Sequence, residues 1–263
     1  MKYPKLTIFL GLLLALVAWV LISGIEADRP RAELNPVSSS PLAGSVLVIG
    51  GTRATGLEIV KLLRARGDDV VVLVRPSSDA GAAEALGARI FRGDAMNPPD
   101  LVAALATVPA GGQFRAVVST LGATSLDGPR PDFEGNRNAV DAARLAGVKR
   151  FVLVTVIGAG ESYEAAPAVA RYFLRNVIPE KSKAEDYLKT SGLEYTIIRP
   201  GGLLDKEPQG RAYLTEDTRA MSWIRRSDLA ALTVQALDDP RATGKIYHAF
   251  DPDRTRFWSI PAN

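Results

Sequence analysis

The sequence predicts a doubly wound α/β fold with a mostly parallel sheet, preceded by an N-terminal transmembrane helix. Strand-like and helix-like segments alternate from residue 45 onward, as in proteins built from βαβ units. The strand-like segments are rich in valine and isoleucine and are apolar at nearly every position, which is typical of strands buried on both faces of a sheet. Residues 6–25 contain no charged side chain.

The N-terminal region, residues 1–25, is predicted to be a membrane anchor. Twenty uncharged residues in a helix span about 30 Å, the thickness of a bilayer's hydrocarbon core. A cleaved signal peptide is the main alternative, although small residues are poorly placed for cleavage. Lys2 and Lys5 before the segment nearly balance Arg29 and Arg31 after it, so charge alone does not fix the orientation.

The next segment, residues 26–44, is predicted to be a flexible or semi-extended linker. It contains Pro30, Pro36 and Pro41 and three consecutive serines. The remainder, residues 45–263, is long enough for one domain with a sizeable core, and we expect a small C-terminal substrate region within it.

Each predicted strand is followed by a predicted helix, and a glycine stands just past several of the helices, where a left-handed residue is needed. The strands are predicted over Ser45–Ile49, Asp69–Val74, Ala88–Phe91, Ala116–Thr120, Phe151–Val156 and Tyr195–Arg199. The helices are predicted over Ala54–Arg66, Ala80–Leu86, Pro98–Ala106, Phe133–Ala146 and Glu180–Thr190, with a further helix in "SDLAALTVQAL" that Ser227 is expected to cap.

The composition excludes several classes of function. The net charge is only +3 and the basic residues are spread along the chain, so nucleic-acid binding is not expected. The chain has no cysteine, which removes disulfides, thiolate catalysis and cysteine metal sites. His248 is the only histidine, so no metal site is predicted; "KIYHAFD" is interpreted as a late edge strand with a structural histidine.

The stretch "GGTRATG", residues 50–56, is predicted to bind a pyrophosphate. It follows the first strand and opens a helix, where free backbone N–H groups and the helix dipole favour an anion. This is the context of the dinucleotide-binding fingerprint of the Rossmann fold. A structural turn in a cofactor-free protein is the alternative. The residues assigned to this contact are Gly50, Thr52, Arg53, Ala54, Thr55 and Gly56.

The end of the second strand favours NADP(H) over NAD(H). Arg75 stands where a carboxylate would bind the ribose hydroxyl of NAD, and an arginine there suits a 2′-phosphate instead. Ser77, Ser78 and Arg53 are expected beside it. The alternative is that Arg75 is an ordinary solvated residue at a strand end.

Two further strand ends supply candidate cofactor contacts. Asp94, in the "RGD" after the third strand, can accept a hydrogen bond from the adenine amino group or can simply cap a turn. Thr120, Leu121 and Gly122 end the fourth strand, where small residues let the chain pass under a ribose; simple turn formation is the alternative.

Several motifs together resemble the atypical short-chain dehydrogenase/reductase superfamily, in its NmrA-like branch with flavin/biliverdin reductase-type members. They are "GGTRATG", the "RGD", "GNRNAVDAARLAGVKRFVLVT", "KSKAEDYLKTSGLEYTIIRPGGL" and "WIRRSDLAALTVQALDDP". The resemblance implies a Rossmann fold and NAD(P) binding. It says less about chemistry, because this branch contains both reductases and proteins that only sense the cofactor.

The resemblance also implies catalytic positions. Active members carry a serine or threonine after the fifth strand and a Tyr-x-x-x-Lys on the next helix, in which the tyrosine transfers a proton and the lysine holds the nicotinamide ribose. Thr155 and Lys181 occupy the first and last of these positions, but Val177 replaces the tyrosine. If Lys183 were the family lysine, the preceding position would be Pro179, and no tyrosine nearby has the required spacing.

The motif "RPGG", residues 199–202, completes the candidate site. After the sixth strand it would place Pro200 and Gly201 near the nicotinamide through backbone contacts, or would simply end the strand. Lys181 is expected to hold the ribose; the alternative is a solvated lysine on an amphipathic helix. The substrate pocket is expected from residues 122–132, 157–180 and 203–222.

Two functions fit these features. The first is an NADPH-dependent reductase of a small acceptor such as a flavin, a quinone or a carbonyl compound, with the proton taken from water. The second is a non-catalytic NADP(H)-binding redox sensor or assembly factor that presents a surface to a protein partner. Because NADP(H) is a cytoplasmic metabolite, the domain is expected on the cytoplasmic face of the membrane.

Overall fold

The structure is a computed structural model that describes residues 29–107, 112–122 and 130–254. The strands are β1 Ser45–Ile49, β2 Asp69–Val74, β3 Arg89–Arg92, β4 Phe114–Ser119, β5 Arg150–Val154, β6 Glu194–Pro200, β7 Gly202–Leu204, β8 Tyr213–Thr215, β9 Trp223–Arg225 and β10 Lys245–Phe250. The helices are α1 Ala54–Arg66, α2 Gly81–Ala85, α3 Pro98–Ala106, α4 Glu134–Leu145, α5 Ala168–Phe173, α6 Ile178–Lys189 and α7 Arg226–Asp238, with short 3₁₀ helices at Gly160–Ala165, Pro240–Ala242 and Pro252–Arg254.

The main sheet has the order β3-β2-β1-β4-β5-β6-β10-β8. All neighbouring pairs are parallel except β10 with β8, which is antiparallel. The chain winds outward from β1 to β3 and then returns to the other side of β1 as β4. A crevice opens at the carboxyl ends of strands where the winding reverses in this way, and it is the place where doubly wound proteins bind ligands. The predicted doubly wound α/β architecture with a mostly parallel sheet is therefore confirmed.

The core has two layers, one on each face of the sheet. Alternate residues of β1 divide between them: Val46 and Val48 face one layer, and Leu47 and Ile49 face the other. Helices α1 and α7 pack on the first face, and α3, α4 and α6 pack on the second. Burial on both faces explains why the strands read as continuous apolar runs.

The element bounds agree closely with the sequence, and two local predictions are wrong. His248 was expected on an edge strand, but β10 lies between β6 and β8. The three residues of β8 are too few to show a pattern in the sequence. Ser227 was expected to cap α7, but the helix begins at Arg226 with Arg225 in the cap position, and the Ser227 hydroxyl donates to the backbone oxygen of Lys206 instead.

Residues 29–42, which we call the N-terminal strap, lie against the domain in an extended path. The Arg29 guanidinium pairs with Asp217 at 2.8 Å, and the Ala32 N–H donates to the backbone oxygen of Leu214 at 2.7 Å. Further along, the Leu42 N–H donates to Asp68. Most of the segment that the sequence assigns to a linker is thus bonded to the domain.

The predicted anchor, residues 1–25, lies outside the described residues. Within the part of the chain that the structure describes, no helix is both long enough and apolar enough to cross a bilayer.

Candidate functional site

A cleft of about 830 Å³ opens at the carboxyl ends of the strands on both sides of β1. Its volume is within the range of small-molecule and cofactor sites. All the predicted site residues except Ser77 and Gly201 line it: Gly50, Thr52, Arg53, Ala54, Thr55, Gly56, Arg75, Ser78, Asp94, Thr120, Leu121, Gly122, Thr155, Lys181 and Pro200.

The glycine loop packs so closely that side chains are excluded at two positions. Gly50 has a φ of +85°, and a Cβ there would lie 2.7 Å from the Thr120 hydroxyl oxygen. A Cβ on Gly56 would lie 2.1 Å from the backbone oxygen of Gly50. These contacts hold the start of α1 against the end of β1, which is the packing that a phosphate-binding turn requires.

Arg53 and Ala54 both stand where the dinucleotide-binding fingerprint carries its middle glycine, depending on the alignment, and Ala54 has the unusual backbone. Its φ is +50°, the only positive φ at a non-glycine residue within the described ranges. A left-handed alanine costs about 1–2 kcal/mol. The strained residue is therefore Ala54 rather than Arg53, whose backbone is extended.

The start of α1 fits a phosphate group. The Thr55 side-chain hydroxyl is buried and has no hydrogen-bond partner in the structure. It lies in the cleft wall beside the first N–H groups of α1, which have no partners within the helix. A buried hydroxyl without a partner is costly, and phosphate oxygens would satisfy both the hydroxyl and the helix N–H groups.

The far end of the cleft is cationic. Arg53 and Arg75 are exposed, and neither forms an ion pair within the described ranges. Arg92, at the end of β3, donates to the backbone oxygen of Ser78 at 2.7 Å and so holds the loop after β2 in place. Ser78 also lines the cleft. This arrangement can receive a phosphate in addition to a pyrophosphate.

Asp94 caps the turn that follows β3. Its Oδ1 accepts the N–H of Met96 at 2.9 Å, and its own N–H donates to Asp100. The capping role considered for this residue is thus present in the structure. The carboxylate also lines the cleft, so the adenine contact stays a prediction.

The turn after β4 contacts both the end of β1 and Lys181 on α6. The Thr120 hydroxyl lies 3.3 Å from the backbone oxygens of Ile49 and Gly50. The backbone oxygen of Leu121 accepts from the Lys181 ammonium at 3.0 Å, and a Cβ on Gly122 would meet Asp132 and Lys181. A small residue at 122 is therefore needed to leave room for the lysine.

Of the two candidates for the family lysine, only Lys181 lines the cleft. Its side chain is buried, and Nζ lies 3.4 Å from Oδ1 of the buried Asp132. Burial is the largest influence and lowers the pKa of the Lys181 ammonium, while Asp132 opposes that shift. Lys183 is instead exposed and pairs with Glu180.

Thr155 also lines the cleft, but its hydroxyl proton is already donated. It hydrogen-bonds to Oε1 of Glu185 at 2.6 Å. Glu185 pairs with the fully buried guanidinium of Arg199, which also contacts Glu161. The hydroxyl can accept a hydrogen bond from a ligand, but it cannot donate its proton without releasing Glu185.

Among the described residues of the cleft, none replaces the tyrosine of the active family members. None of the described cleft residues is a tyrosine or a histidine. Tyr163 and Tyr172 are exposed, and Tyr187 donates to Asp141 at 2.7 Å. His248 is buried elsewhere, with Nδ1 at 2.7 Å from the backbone oxygen of Ala220.

The "RPGG" motif, residues 199–202, begins within β6, and its predicted cofactor contacts Pro200 and Gly201 have different surroundings. Pro200 lines the cleft as predicted, whereas Gly201 packs against Ser222, just before β9. A Cβ on Gly201 would lie 2.1 Å from the backbone oxygen of Ser222. Gly201 thus permits a close backbone crossing, and its backbone contact with the cofactor stays a prediction.

The sequence did not indicate the roles of Asp132 and Asn136, although Asp132 falls within a predicted substrate loop. Asp132 pairs with Lys181 across 49 positions, and Asn136 accepts from Ser119 and donates to the backbone oxygen of Asp132. Arg226 and Leu203 also line the cleft. Of the predicted substrate loops, residues 123–129 lie outside the described residues. Only the tertiary contacts assign these roles, since no spacing rule joins the residues.

The comparisons with known proteins agree with this geometry. Residues 50–240 match the protein family described as NAD(P)H-binding. The NAD(P)H azoreductase of Xenophilus azovorans is 30% identical over 217 residues, which cover 79% of this chain and 68% of that protein. The photosystem II assembly factor Ycf39 of Synechocystis sp. is 29% identical over 217 residues, which cover 77% of this chain and 61% of that protein.

A solved structure of a reductase is also similar to this chain. ChuY, described as an anaerobillin reductase from Escherichia coli O157:H7, superimposes with a TM-score of 0.72 at 30% sequence identity, covering 83% of this chain and all of that one. The match over residues 50–240 and the similar proteins together show that the chain belongs to the NAD(P)H-binding family, in the NmrA-like branch of the atypical short-chain dehydrogenases/reductases.

Proposed function

We propose that this protein is an NADPH-dependent reductase of a small acceptor, a flavin, a quinone or a carbonyl compound, attached to a membrane through its N-terminal segment. The cleft carries the proposal, because it joins a phosphate-binding turn at one end to a buried lysine at the other. The cofactor would supply a hydride, and the residues of this chain bind it, orient it and exclude water.

Each end of the cleft has a separate task. The loop 50–56 and the unpartnered hydroxyl of Thr55 would hold the pyrophosphate. Lys181, fixed by Asp132 and by the backbone oxygen of Leu121, would hold the ribose next to the nicotinamide. Asp132 pairs with the lysine, and Glu185 accepts a hydrogen bond from Thr155. These contacts keep both side chains in place.

The cationic end supports a preference for NADP(H). Arg53 and Arg75 reach the cleft without a carboxylate partner among the described residues, so their charge is available to a 2′-phosphate. A charge-assisted hydrogen bond to such a group contributes about 1.5–3 kcal/mol.

The preference can be measured with Arg75→Ala. We expect the dissociation constant for NADPH to rise by about tenfold or more and that for NADH to change little, because only NADPH carries the 2′-phosphate. Arg144→Ala, on the exposed side of α4, is the matched control. Equal affinities of the unchanged protein for both coenzymes would refute the preference, and no binding of either would refute the proposed function.

The acceptor is expected to take its proton from water. The cleft has no tyrosine among its described residues, and the Thr155 proton is donated to Glu185. Flavins and quinones tolerate this arrangement, because their reduction does not require a positioned protein acid. NADPH oxidation by the purified full chain with flavin, quinone and carbonyl acceptors tests this directly. No turnover with any of them would count against a reductase.

A non-catalytic role is the second candidate. The absence of the tyrosine favours it, and one relative, the Synechocystis protein, is named an assembly factor. In that case the protein would bind NADP(H) and present a surface to a protein partner. Capture of a membrane protein that depends on NADPH, without turnover of any acceptor, would support this candidate over the reductase.

We place the domain on the cytoplasmic face of the membrane. The supporting argument is the supply of cofactor, since NADP(H) is a cytoplasmic metabolite. A reporter enzyme fused after Asn263 that is active only in the cytoplasm tests the orientation, and an inactive but fully expressed fusion would reverse it.

A further inference from the structure

One short helix of the domain carries an exposed aromatic surface. No residue of α5 is buried. We define the interfacial patch as Tyr163, Val169, Arg171, Tyr172, Phe173 and Arg175. Its four apolar and aromatic members are 49%, 45%, 64% and 58% exposed, in the order Tyr163, Val169, Tyr172, Phe173. Val169 lies three and four positions before the two aromatic residues of α5, so these three side chains share one side of the helix.

The patch is ordered by contacts among its own members. The Arg171 guanidinium lies 4.9 Å from the ring centre of Tyr163, and that of Arg175 lies 4.8 Å from the ring centre of Tyr172. The rings of Tyr172 and Phe173 meet edge to face at 5.7 Å. Exposed apolar and aromatic side chains that lie together on one surface indicate a site of external contact.

The charge of this region favours an anionic contact. Residues 163–175, which carry the patch, contain two arginines and one acidic residue, Glu164. Arg171 pairs with Glu164 at 2.7 Å, while Arg175 has no carboxylate partner among the described residues. Helices that carry arginines and aromatic residues on one surface bind in the headgroup region of a bilayer.

The path of the chain brings the domain close to a membrane. The strap is bonded to the domain from Arg29 onward, through Asp217 and the Tyr213 hydroxyl. If residues 6–25 span the bilayer, only residues 26–28 separate the span from the domain, a reach of about 10 Å. A domain attached this closely rests part of its surface on the headgroups.

We propose that the interfacial patch docks on the surface of an anionic phospholipid bilayer. This inference rests on the membrane attachment in the proposed function. The segment that carries the patch begins after Thr155 and ends before Lys181, both of which line the cleft. Docking would therefore turn this side of the cleft toward the membrane and give lipid-soluble acceptors a short route to it.

The absence of cysteine makes the docking measurable on the full chain. Val169→Cys and Phe173→Cys, each carrying a nitroxide spin label, are placed in bilayers of phosphatidylcholine with and without phosphatidylglycerol. Power saturation with oxygen, which concentrates in lipid, and with a water-soluble nickel complex reports the surroundings of the label. Leu145→Cys on α4, where the native side chain is 77% exposed, is the matched surface control, and Ala15→Cys reports on the predicted anchor.

We expect the labels at 169 and 173 to gain oxygen contact and lose nickel contact when the anionic lipid is present, while the label at 145 stays in water. Replacing both Arg171 and Arg175 by glutamine is expected to weaken the docking by about fivefold per arginine. In that variant the label at 173 would move back toward the accessibility of the label at 145.

Three outcomes would overturn the proposal, and they separate it from the membrane attachment. If the label at 15 lies in lipid but the label at 173 is as water-accessible as that at 145, the docking is wrong and the attachment stands. If the label at 173 is shielded from both reagents, a protein surface covers the patch instead. If the label at 15 is outside the bilayer, the attachment and the docking both fail.

Discussion

Gly56 is the residue at which the loop geometry is most demanding. Because an added Cβ would lie 2.1 Å from the backbone oxygen of Gly50, Gly56→Ala forces α1 away from β1. We expect a loss of about 3 kcal/mol in the free energy of unfolding and a large loss of NADPH affinity. Urea denaturation and titration calorimetry measure the two effects.

The matched variant in the same loop is Ala54→Gly. A glycine relieves the positive φ of residue 54 but adds freedom to the unfolded chain. The net change in stability is expected to stay within about 1 kcal/mol. If Gly56→Ala lowered the unfolding free energy as little as Ala54→Gly, the close packing of the loop would not be required for stability.

His248 gives the protein a dependence on pH. Burial lowers the pKa of this imidazole from 6.5 to about 4, and Nε2 has no hydrogen-bond partner in the structure. The unfolded chain therefore takes up a proton near pH 6.5, whereas the folded chain does so only near pH 4. Stability is full above this window and falls as the pH drops through it, by about 3 kcal/mol in total.

His248→Asn isolates this effect, because the amide can still donate to the backbone oxygen of Ala220. We expect the unfolding free energy of the variant to be flat between pH 6.5 and 5, where the native chain already loses stability. Carboxyl groups with lowered pKa values, such as those of Asp69, Glu161 and Asp217, add their losses only at lower pH. If the unfolding free energies of both proteins fell equally between pH 6.5 and 5, the pH dependence could not be assigned to His248.

At the scale of elements, one buried arginine joins β5, β6 and α7. Arg150 donates to the backbone oxygens of Glu194, Ala236 and Leu237 and to the Thr196 hydroxyl, at 2.6–3.2 Å. Burial lowers its pKa to about 10, yet it stays charged at neutral pH. A cation at the last carbonyls of α7 also complements the helix dipole.

Removing this cation is expected to loosen the packing of α7 on the sheet. Arg150→Met leaves several buried acceptors without donors, and we expect a loss of about 3 kcal/mol in the free energy of unfolding. Arg144→Met on the exposed side of α4 should change it by less than about 0.5 kcal/mol. Chemical denaturation of both variants checks this, and comparable effects would show that the Arg150 contacts contribute nothing specific.

At the scale of the whole molecule, the N-terminal strap connects parts of the domain that are far apart in sequence. It contacts β8 at Leu214, the end of α7 at Asp239 and the start of β2 at Asp68. Bonds to Arg241 and to the Asn35 N–H hold the pKa of Asp239 well below its usual value. The strap therefore acts as part of the domain and not as a free tether.

A chain that begins at residue 43 should consequently be less stable than one that begins at residue 26. We expect a difference of about 2–4 kcal/mol in the free energy of unfolding, because the buried Asp68 and Asp239 each lose a backbone donor. Urea denaturation of the two truncated proteins measures it. Identical midpoints would mean that the strap contributes no stability.

The sequence by itself determined the order of strands and helices, the glycine turn and most of the cleft. Strands β1 and β2 and helices α1 and α3 have the predicted bounds, because apolar periodicity and glycine positions are local signals. The residues at the ends of parallel strands meet at one edge of the sheet, so Arg75, Asp94 and Thr120 could be assigned to one site before their positions were known.

Tertiary structure alone decided which side chains meet across the chain. It paired Lys181 with Asp132, engaged the Thr155 hydroxyl with Glu185, packed Gly201 against Ser222 and enclosed His248 between two strands. These contacts join residues far apart in sequence, and their energies depend on burial and distance. Neither quantity exists until the sheet has formed, so no local pattern in the sequence encodes them.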